Sequence, residues 1–161
     1  MLPADLPPLR FPRPYALDLR RIDDRLVVFD PLRRRCVPLT PEEWVRQHLL
    51  QFLIQDRGCP EGLVAVERAL SFYGKPLRAD VVVHDRRGRP LLLAECKEPA
   101  AKVDEAAFRQ AADYNRVLRA PFLLVTNGLT HSCCQWEPGA GTWHFLEDLP
   151  TYPQMLAAGA S

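Results

Sequence analysis

Three residues of this 161-residue chain combine types and spacing that suit phosphodiester chemistry: Asp80, Glu95 and Lys97. Asp80 lies in a strand-like run at 78–84. Glu95 and Lys97 end the next run, 91–97, which is apolar up to Ala94. The polar turn between the runs contains Gly88, so the two strands should pair as a hairpin. Residues two apart on a strand share a face, which puts Glu95 beside Lys97 and turns Cys96 into the opposite layer. If the register sets Asp80 across from Glu95, two carboxylates and an ammonium meet at one edge of a sheet. Two carboxylates can hold Mg²⁺ (or Mn²⁺ in its place), an ion that takes oxygen ligands at about 2.1 Å and keeps several waters. Such an ion polarises a phosphate and acidifies a bound water. A neighbouring lysine orients that water and stabilises developing negative charge. The backbone carbonyl of Cys96 is a further candidate ligand. Taken alone, a D…ExK pattern is short, and it also describes a structural Glu/Lys pair closing a core strand.

A second group weighs against that plainer reading. Gln110 and Tyr114 are four apart and share a face of a helix expected over 103–119, flanked by Arg109 and Asn115. From that face they can reach the acidic edge, or form a partly exposed surface pair. Glu43 has two readings: the closing residue of a capping box begun by Thr40, or an acid projected into the site from the first helix. Glu67, ending a short apolar strand at 63–67, is a further candidate. His48, His84, His131 and His144 lack metal-ligand spacing and read as structural or surface residues. The arginine clusters 33–35 and 86–89 could neutralise phosphates, but each alone reads as an ordinary solvated turn.

The elements that must position these residues follow from pattern. Residues 1–24 read as an irregular, proline-rich N-terminal arm. Residues 25–38 form a small hairpin turning at Asp30-Pro31. Thr40-Pro41-Glu42-Glu43 starts a helix, with Trp44, Val45, His48, Leu49, Phe52 and Leu53 on its apolar side and an end near 55–58. After the three strand-like runs, Ala106, Ala107, Phe108, Ala111, Ala112, Val117 and Leu118 give the second helix its apolar surface. A buried strand at 121–126 stops at Asn127-Gly128, and a last strand pair occupies 131–136 and 142–146. The implied organisation is an α/β fold in one domain over 25–150, with a loose tail at 151–161.

Composition and charge exclude more than they specify. The formal net charge of +1 neither requires nor forbids nucleic acid. The five cysteines are odd in number, lack CxxC spacing and suggest neither a disulfide framework nor a zinc site. No apolar run is long enough for a bilayer, and the first residues lack the h-region of a secretory signal. A cytoplasmic protein with no membrane association is the expectation.

In order and spacing, these stretches resemble the PD-(D/E)XK nuclease superfamily, and more closely the N-terminal nuclease domain of type I restriction enzyme R subunits in a short, free-standing form. The matching pieces are Thr40-Pro41-Glu42-Glu43-Trp44-Val45-Arg46, the Asp80 strand, Ala94-Glu95-Cys96-Lys97, Gln110 to Tyr114, and Thr126-Asn127-Gly128. The resemblance implies a restriction-endonuclease-like αβββαβ core, a mixed sheet flanked by helices, preceded here by the β-hairpin arm. It implies Asp80 and Glu95 as metal ligands, Lys97 as the residue assisting water, Gln110 and Tyr114 as a QxxxY element, and Glu43 as the acidic helix position. The implied activity is Mg²⁺-dependent endonucleolytic hydrolysis of DNA. Ala79 stands where the superfamily name has Pro, a common variation. No G-x-x-x-x-G-K-[ST] sequence is present, so ATP-driven translocation is not implied for this chain and restriction–modification enters only as ancestry. Two alternatives stay open: a non-cleaving nucleic-acid-binding module, and a subunit of a restriction, defence or repair complex that depends on a motor or specificity partner in trans. A homodimer that cuts both strands is a further open expectation.

Overall fold

The chain opens with a docked arm rather than a free one. In the computed structural model, which describes residues 2–159, Leu6 and Tyr15 are buried. The Trp44 indole N–H donates to the Pro7 carbonyl at 2.8 Å, and Arg10 N–H donates to the Gly128 carbonyl at 2.7 Å. Gly128 has φ +83°, and a Cβ there would come within 2.7 Å of Leu9 Cδ2, so the Asn-Gly turn needs glycine both to form and to receive the arm. The arm is irregular only in part. It ends in β1 (Leu19–Ile22), a strand the sequence pattern hides because its residues are mostly exposed and charged. β1 pairs antiparallel with β2 (Arg25–Asp30), and β2 with β3 (Arg35–Pro38), so the expected hairpin is the larger part of a three-stranded sheet.

α1 (Pro41–Gln55) begins as its sequence dictates. Thr40 is extended, its Oγ1 accepts the Glu43 N–H at 3.1 Å, and Pro41 occupies the first turn where no N–H is needed. From Glu43 to Leu50 every residue of α1 is buried. One side packs on the large sheet, while the arm and the turn after β2 reach the other.

The large sheet has the order β4–β5–β6–β7–β8–β9, built from β4 (Val64–Phe72), β5 (Lys75–His84), β6 (Pro90–Cys96), β7 (Phe122–Thr126), β8 (His131–Glu137) and β9 (Thr142–Leu146). All neighbours are antiparallel except β6 and β7. That parallel pair needs a crossover, and α2 (Glu105–Leu118) supplies it. The order α1, β4 to β6, α2, β7 is the expected αβββαβ core. β4 and β5 run longer than expected. They turn at Tyr73 and Gly74, both with positive φ, the signature of a tight primed turn.

Side chains of the sheet divide between two clusters. Val81, Val83, Leu92, Ala94 and Cys96 pack with α1. Val82, Leu93, Leu123 and Val125 pack with Ala107, Ala111 and Leu118 of α2. Adjacent Cys133 and Cys134 fall on opposite faces, as alternation requires, and all five cysteines are free thiols. Of the expected apolar surface of α2, Ala106 is exposed.

The C-terminal segment corrects the expectation of a loose tail. Residues 152–159 form α3 (Tyr152–Gly159), with Tyr152 and Met155 buried in the cluster that holds α1. Tyr152 O–H donates to the His84 carbonyl at 3.0 Å. Arm and α3 are thus part of one core with residues 25–150. Residues 1, 160 and 161, which belong to the expected arm and tail, lie outside the described residues. Among the described residues no helix is long and apolar enough to cross a membrane.

Candidate active site

The register brings Asp80 to Glu95. β5 and β6 pair from Val83–Leu92 through Val81–Ala94, and one step further along the same register places Asp80 opposite Glu95. Pairing stops there, because β5 continues with β4 while β6 stays with β7. The neighbouring strand is irregular at the same level. β4–β5 pairing passes from Val66–Val81 to Arg68–Ala79, and the skipped residue, Glu67, has φ +52°. A non-glycine residue in that region costs of order 1–3 kcal/mol and persists only where its surroundings enforce it. Ala79 and Val82 both lie in the α2-side cluster, so strict alternation slips at Asp80. The slip lets the Asp80 carboxylate reach between layers. Its Oδ1 accepts Arg46 Nη2 of α1 at 3.0 Å, and its Oδ2 accepts the Cys96 N–H at 2.8 Å.

Glu95 occupies the α2 face, two residues beyond Leu93. It is 7% exposed, and its Oε1 has no hydrogen-bond partner. Burial and then the negative charge of Asp80 push its pKa up to about 9. Cys96 points into the opposite layer, where burial raises its thiol well above the ordinary value. Lys97 returns to the face of Glu95. Its Nζ donates to Gln110 Oε1 at 2.9 Å, and Gln110 Nε2 donates to Tyr114 O–H at 3.4 Å. Gln110 and Tyr114 therefore form one chain of contacts with Lys97, as their helical spacing suggests. Arg109 is engaged elsewhere, with Glu105 at 2.6 Å. Asn115 is buried and holds both the N–H and the carbonyl of Ala120.

Glu43 resolves into neither of its two simple readings. Its backbone N–H is capped by Thr40, but its carboxylate does not return the bond. Oε1 accepts Arg33 Nη2 and Arg46 Nη1, both at 2.7 Å, and Oε2 accepts Gln47 Nε2 at 3.1 Å. It acts on Asp80 through Arg46. Glu67 joins the same network through Arg33 Nη1 at 3.2 Å. Arg33 therefore departs from the solvated turn expected of the 33–35 cluster: Asp30, Glu43 and Glu67 take its donors. Arg34 and Arg35 remain exposed.

The sequence reading missed Asp30, Arg33, Glu42, Arg46 and Gln47. A signal was present for Arg46, which follows Glu42 by four residues and Glu43 by three and so shares their helix face. Arg46 is 5% exposed. Burial pulls its pKa down, but Glu43 and Asp80 outweigh that and hold it above the ordinary value. Burial and the Asp80 charge raise the pKa of Glu42, which lies 3.1 Å from Arg46 Nη2.

Asp30, Glu42, Glu43, Glu67 and Asp80 thus surround the half-buried Arg33 and the buried Arg46, with the exposed Arg78 reaching Glu67 at 3.7 Å. Glu95 lies beside Asp80, and its buried Oε1 has no protein partner, which leaves that oxygen open to a cation. Among the described residues no group of three or more His, Cys, Asp or Glu side chains is arranged as a metal cage. Mg²⁺ needs less than a cage, since one or two carboxylates suffice when waters and phosphate oxygens complete the shell. Asp80 and Glu95 fit that requirement.

A family model described as type I restriction enzyme R protein N terminus (HSDR_N) matches residues 41–150. The chain belongs to this family. The match runs from α1 to just before α3, so Asp30 and Arg33 contribute to the HSDR_N site from outside the matched span. A fragment of a putative HsdR subunit of a type I restriction enzyme from Vibrio vulnificus YJ016 superposes with a TM-score of 0.54 at 20% identity, covering 74% of this chain. This likeness bears on the fold. The HSDR_N chain spans about 25% of the length of that fragment. Among curated proteins none matches.

Proposed function

We propose that this HSDR_N chain is a metal-dependent deoxyribonuclease domain hydrolysing phosphodiester bonds in DNA. The observation that carries the reading is the juxtaposition of Asp80 and Glu95 where β5 and β6 part, with Lys97 on the face of Glu95. Asp80 and Glu95 would hold Mg²⁺ or Mn²⁺, with the Cys96 carbonyl as a further oxygen donor. A bound Mg²⁺ supplies charge neutralisation at the phosphate and acidification of a coordinated water.

The remaining work belongs to the side chains. Lys97 places a positive charge where negative charge develops and holds the attacking water by hydrogen bonding. Gln110 restrains the Lys97 ammonium to one position, and Tyr114 supports Gln110. Glu43 holds Arg46, and Arg46 fixes the Asp80 carboxylate.

The test is cleavage of plasmid, linear, single-stranded and branched DNA by the purified chain with Mg²⁺ or Mn²⁺. Asp80→Ala should abolish it and Lys97→Ala should reduce it by about 10²–10³. Inertness on all four substrates with both metals would remove the reading for the isolated chain. A partner-dependent form of the same reading has one observation of its own: Arg46 already occupies Asp80 Oδ1. In that form the isolated domain rests with Asp80 engaged, and cleavage appears only when a motor or specificity subunit is added.

A further inference from the structure

A cleft of about 1170 Å³ opens at the opposite end of the large sheet from Asp80. Asp80 and Asp85 are separated by five strand steps, roughly 16 Å at about 3.3 Å per residue. The turn between β5 and β6, the segment after α2, the end of β8 and α3 form the walls.

Four arginines line this cleft, Arg86, Arg87, Arg89 and Arg119, against two acids, Asp85 and Glu137. Asp85 is already engaged, whereas Glu137 has only an imidazole near it. Asp85 accepts the backbone N–H groups of Arg87 and Arg89 and, at 2.9 Å, Arg89 Nε. Glu137 lies 3.7 Å from His144 Nδ1. Arg86, Arg87 and Arg119 are exposed and make no ion pair with the described residues. Three unpaired cations therefore face the cleft against a single acid, Glu137, that no arginine or lysine of the described residues holds.

The loop carrying Arg119 is fixed. Arg119 ends α2 in the left-handed conformation at φ +55°, where glycine is the usual residue. Buried Asn115 uses both halves of its amide to hold Ala120 next to it. A second cleft of about 780 Å³ shares Arg119, Pro121 and Trp136 with the first. Trp136 is 38% exposed, and its ring meets Trp143 edge-on at 5.3 Å. An exposed indole thus sits where two clefts meet, on a wall shared with the unpaired Arg119.

We propose that this cleft binds a single-stranded nucleic acid segment, with Arg86, Arg87 and Arg119 taking phosphates and Trp136 stacking a base. Cations alone would serve a duplex backbone equally well, but a stacking platform requires an unpaired base. The proposal extends the nuclease reading, on which its biological sense rests, by giving a DNA strand a second hold away from Asp80 and Glu95.

The experiment measures binding without chemistry. Fluorescence anisotropy of a labelled oligothymidylate, and of a duplex of equal length, is followed in EDTA with the Asp80→Ala chain. Failure of binding then says nothing of cleavage, and failure of cleavage nothing of binding. The single strand should bind more tightly than the duplex and quench tryptophan fluorescence. Trp136→Ala should weaken the single strand by between about fivefold and a hundredfold. The triple change Arg86→Ala, Arg87→Ala and Arg119→Ala should reduce the slope of log affinity against log salt by about 2. Unchanged circular dichroism and urea midpoints confirm that these surface variants fold. No binding, equal binding of duplex with no effect of Trp136→Ala, or an unchanged salt slope would each overturn the proposal.

Discussion

Arg46 Nη2 lies 3.0 Å from Asp80 Oδ1 while Nη1 of the same guanidinium lies 2.7 Å from Glu43 Oε1. One buried cation therefore ties the helix α1 to the strand β5 and keeps two acids from repelling each other. Removing it leaves Glu43 buried with less compensation and Asp80 without its ion pair. Arg46→Ala should cost roughly 3–5 kcal/mol in urea unfolding, the range for breaking a buried ion pair by deleting one partner. Asp80→Ala should cost clearly less, because Arg46 keeps Glu43 and Glu42. The opposite ranking would show that the network is not organised around Arg46.

Glu95 gives stability a pH dependence with a defined sign. Its folded pKa is about 9 against an ordinary value of 4.5, so between those values the folded state binds a proton that the unfolded state has released. Stability from this group is complete below about pH 4.5 and is lost as pH rises toward 9. In EDTA, the melting temperature of the wild-type chain should fall over this window more steeply than that of Glu95→Gln, which has no carboxyl to titrate. Added Mn²⁺ should offset the fall at alkaline pH in the wild type and not in Glu95→Gln. Parallel melting profiles for the two chains would contradict the burial argument for Glu95.

The parts that sequence revealed are those where local chemistry and tertiary demand agree. Thr40-Pro41 suits a helix start by local chemistry alone, and β6 is apolar because it is central. Glu95 and Lys97 share a face because a strand has period two, and Gln110 and Tyr114 because a helix brings i and i+4 together. The hidden parts depend on partners far away in sequence. β1 is charged and exposed, so only pairing with β2 makes it a strand. Arg33 sits in a run of three arginines, and nothing local distinguishes the one that Asp30, Glu43 and Glu67 hold. The slip at Asp80 answers the left-handed Glu67 on the neighbouring strand, a residue whose type gives no hint of that conformation.

The contact from Lys97 to Gln110 separates two kinds of defect on the proposed cleavage reaction. Lys97→Ala removes the charge itself and should lower kcat by about 10²–10³, the usual loss for one donor at a developing oxyanion. Gln110→Ala leaves the charge but frees it, so the loss should be smaller, about tenfold, and confined to kcat. Tyr114→Phe, which removes a long 3.4 Å contact, should change the rate least. Single-turnover rates at saturating Mg²⁺ measure all three. A Tyr114→Phe defect as large as that of Lys97→Ala would mean that Tyr114 touches the reacting groups directly.

α3 provides a test of how far the folding unit extends. Met155 is 0% exposed and belongs to the cluster that contains Leu49, Leu92 and Phe122, although the HSDR_N match ends at residue 150. Replacing a buried methionine with alanine removes its packing and leaves a cavity, typically at a cost of 2–5 kcal/mol. Met155→Ala should fall in that range in chemical denaturation, with a single cooperative transition reported by both tryptophan fluorescence and circular dichroism. A chain ending at residue 150 should lose more, since it also gives up Tyr152 and the bond from Tyr152 O–H to the His84 carbonyl beside the β5–β6 turn. If Met155→Ala unfolds with wild-type stability, or limited proteolysis removes α3 without shifting the transition, α3 is an appendage and the core closes without it.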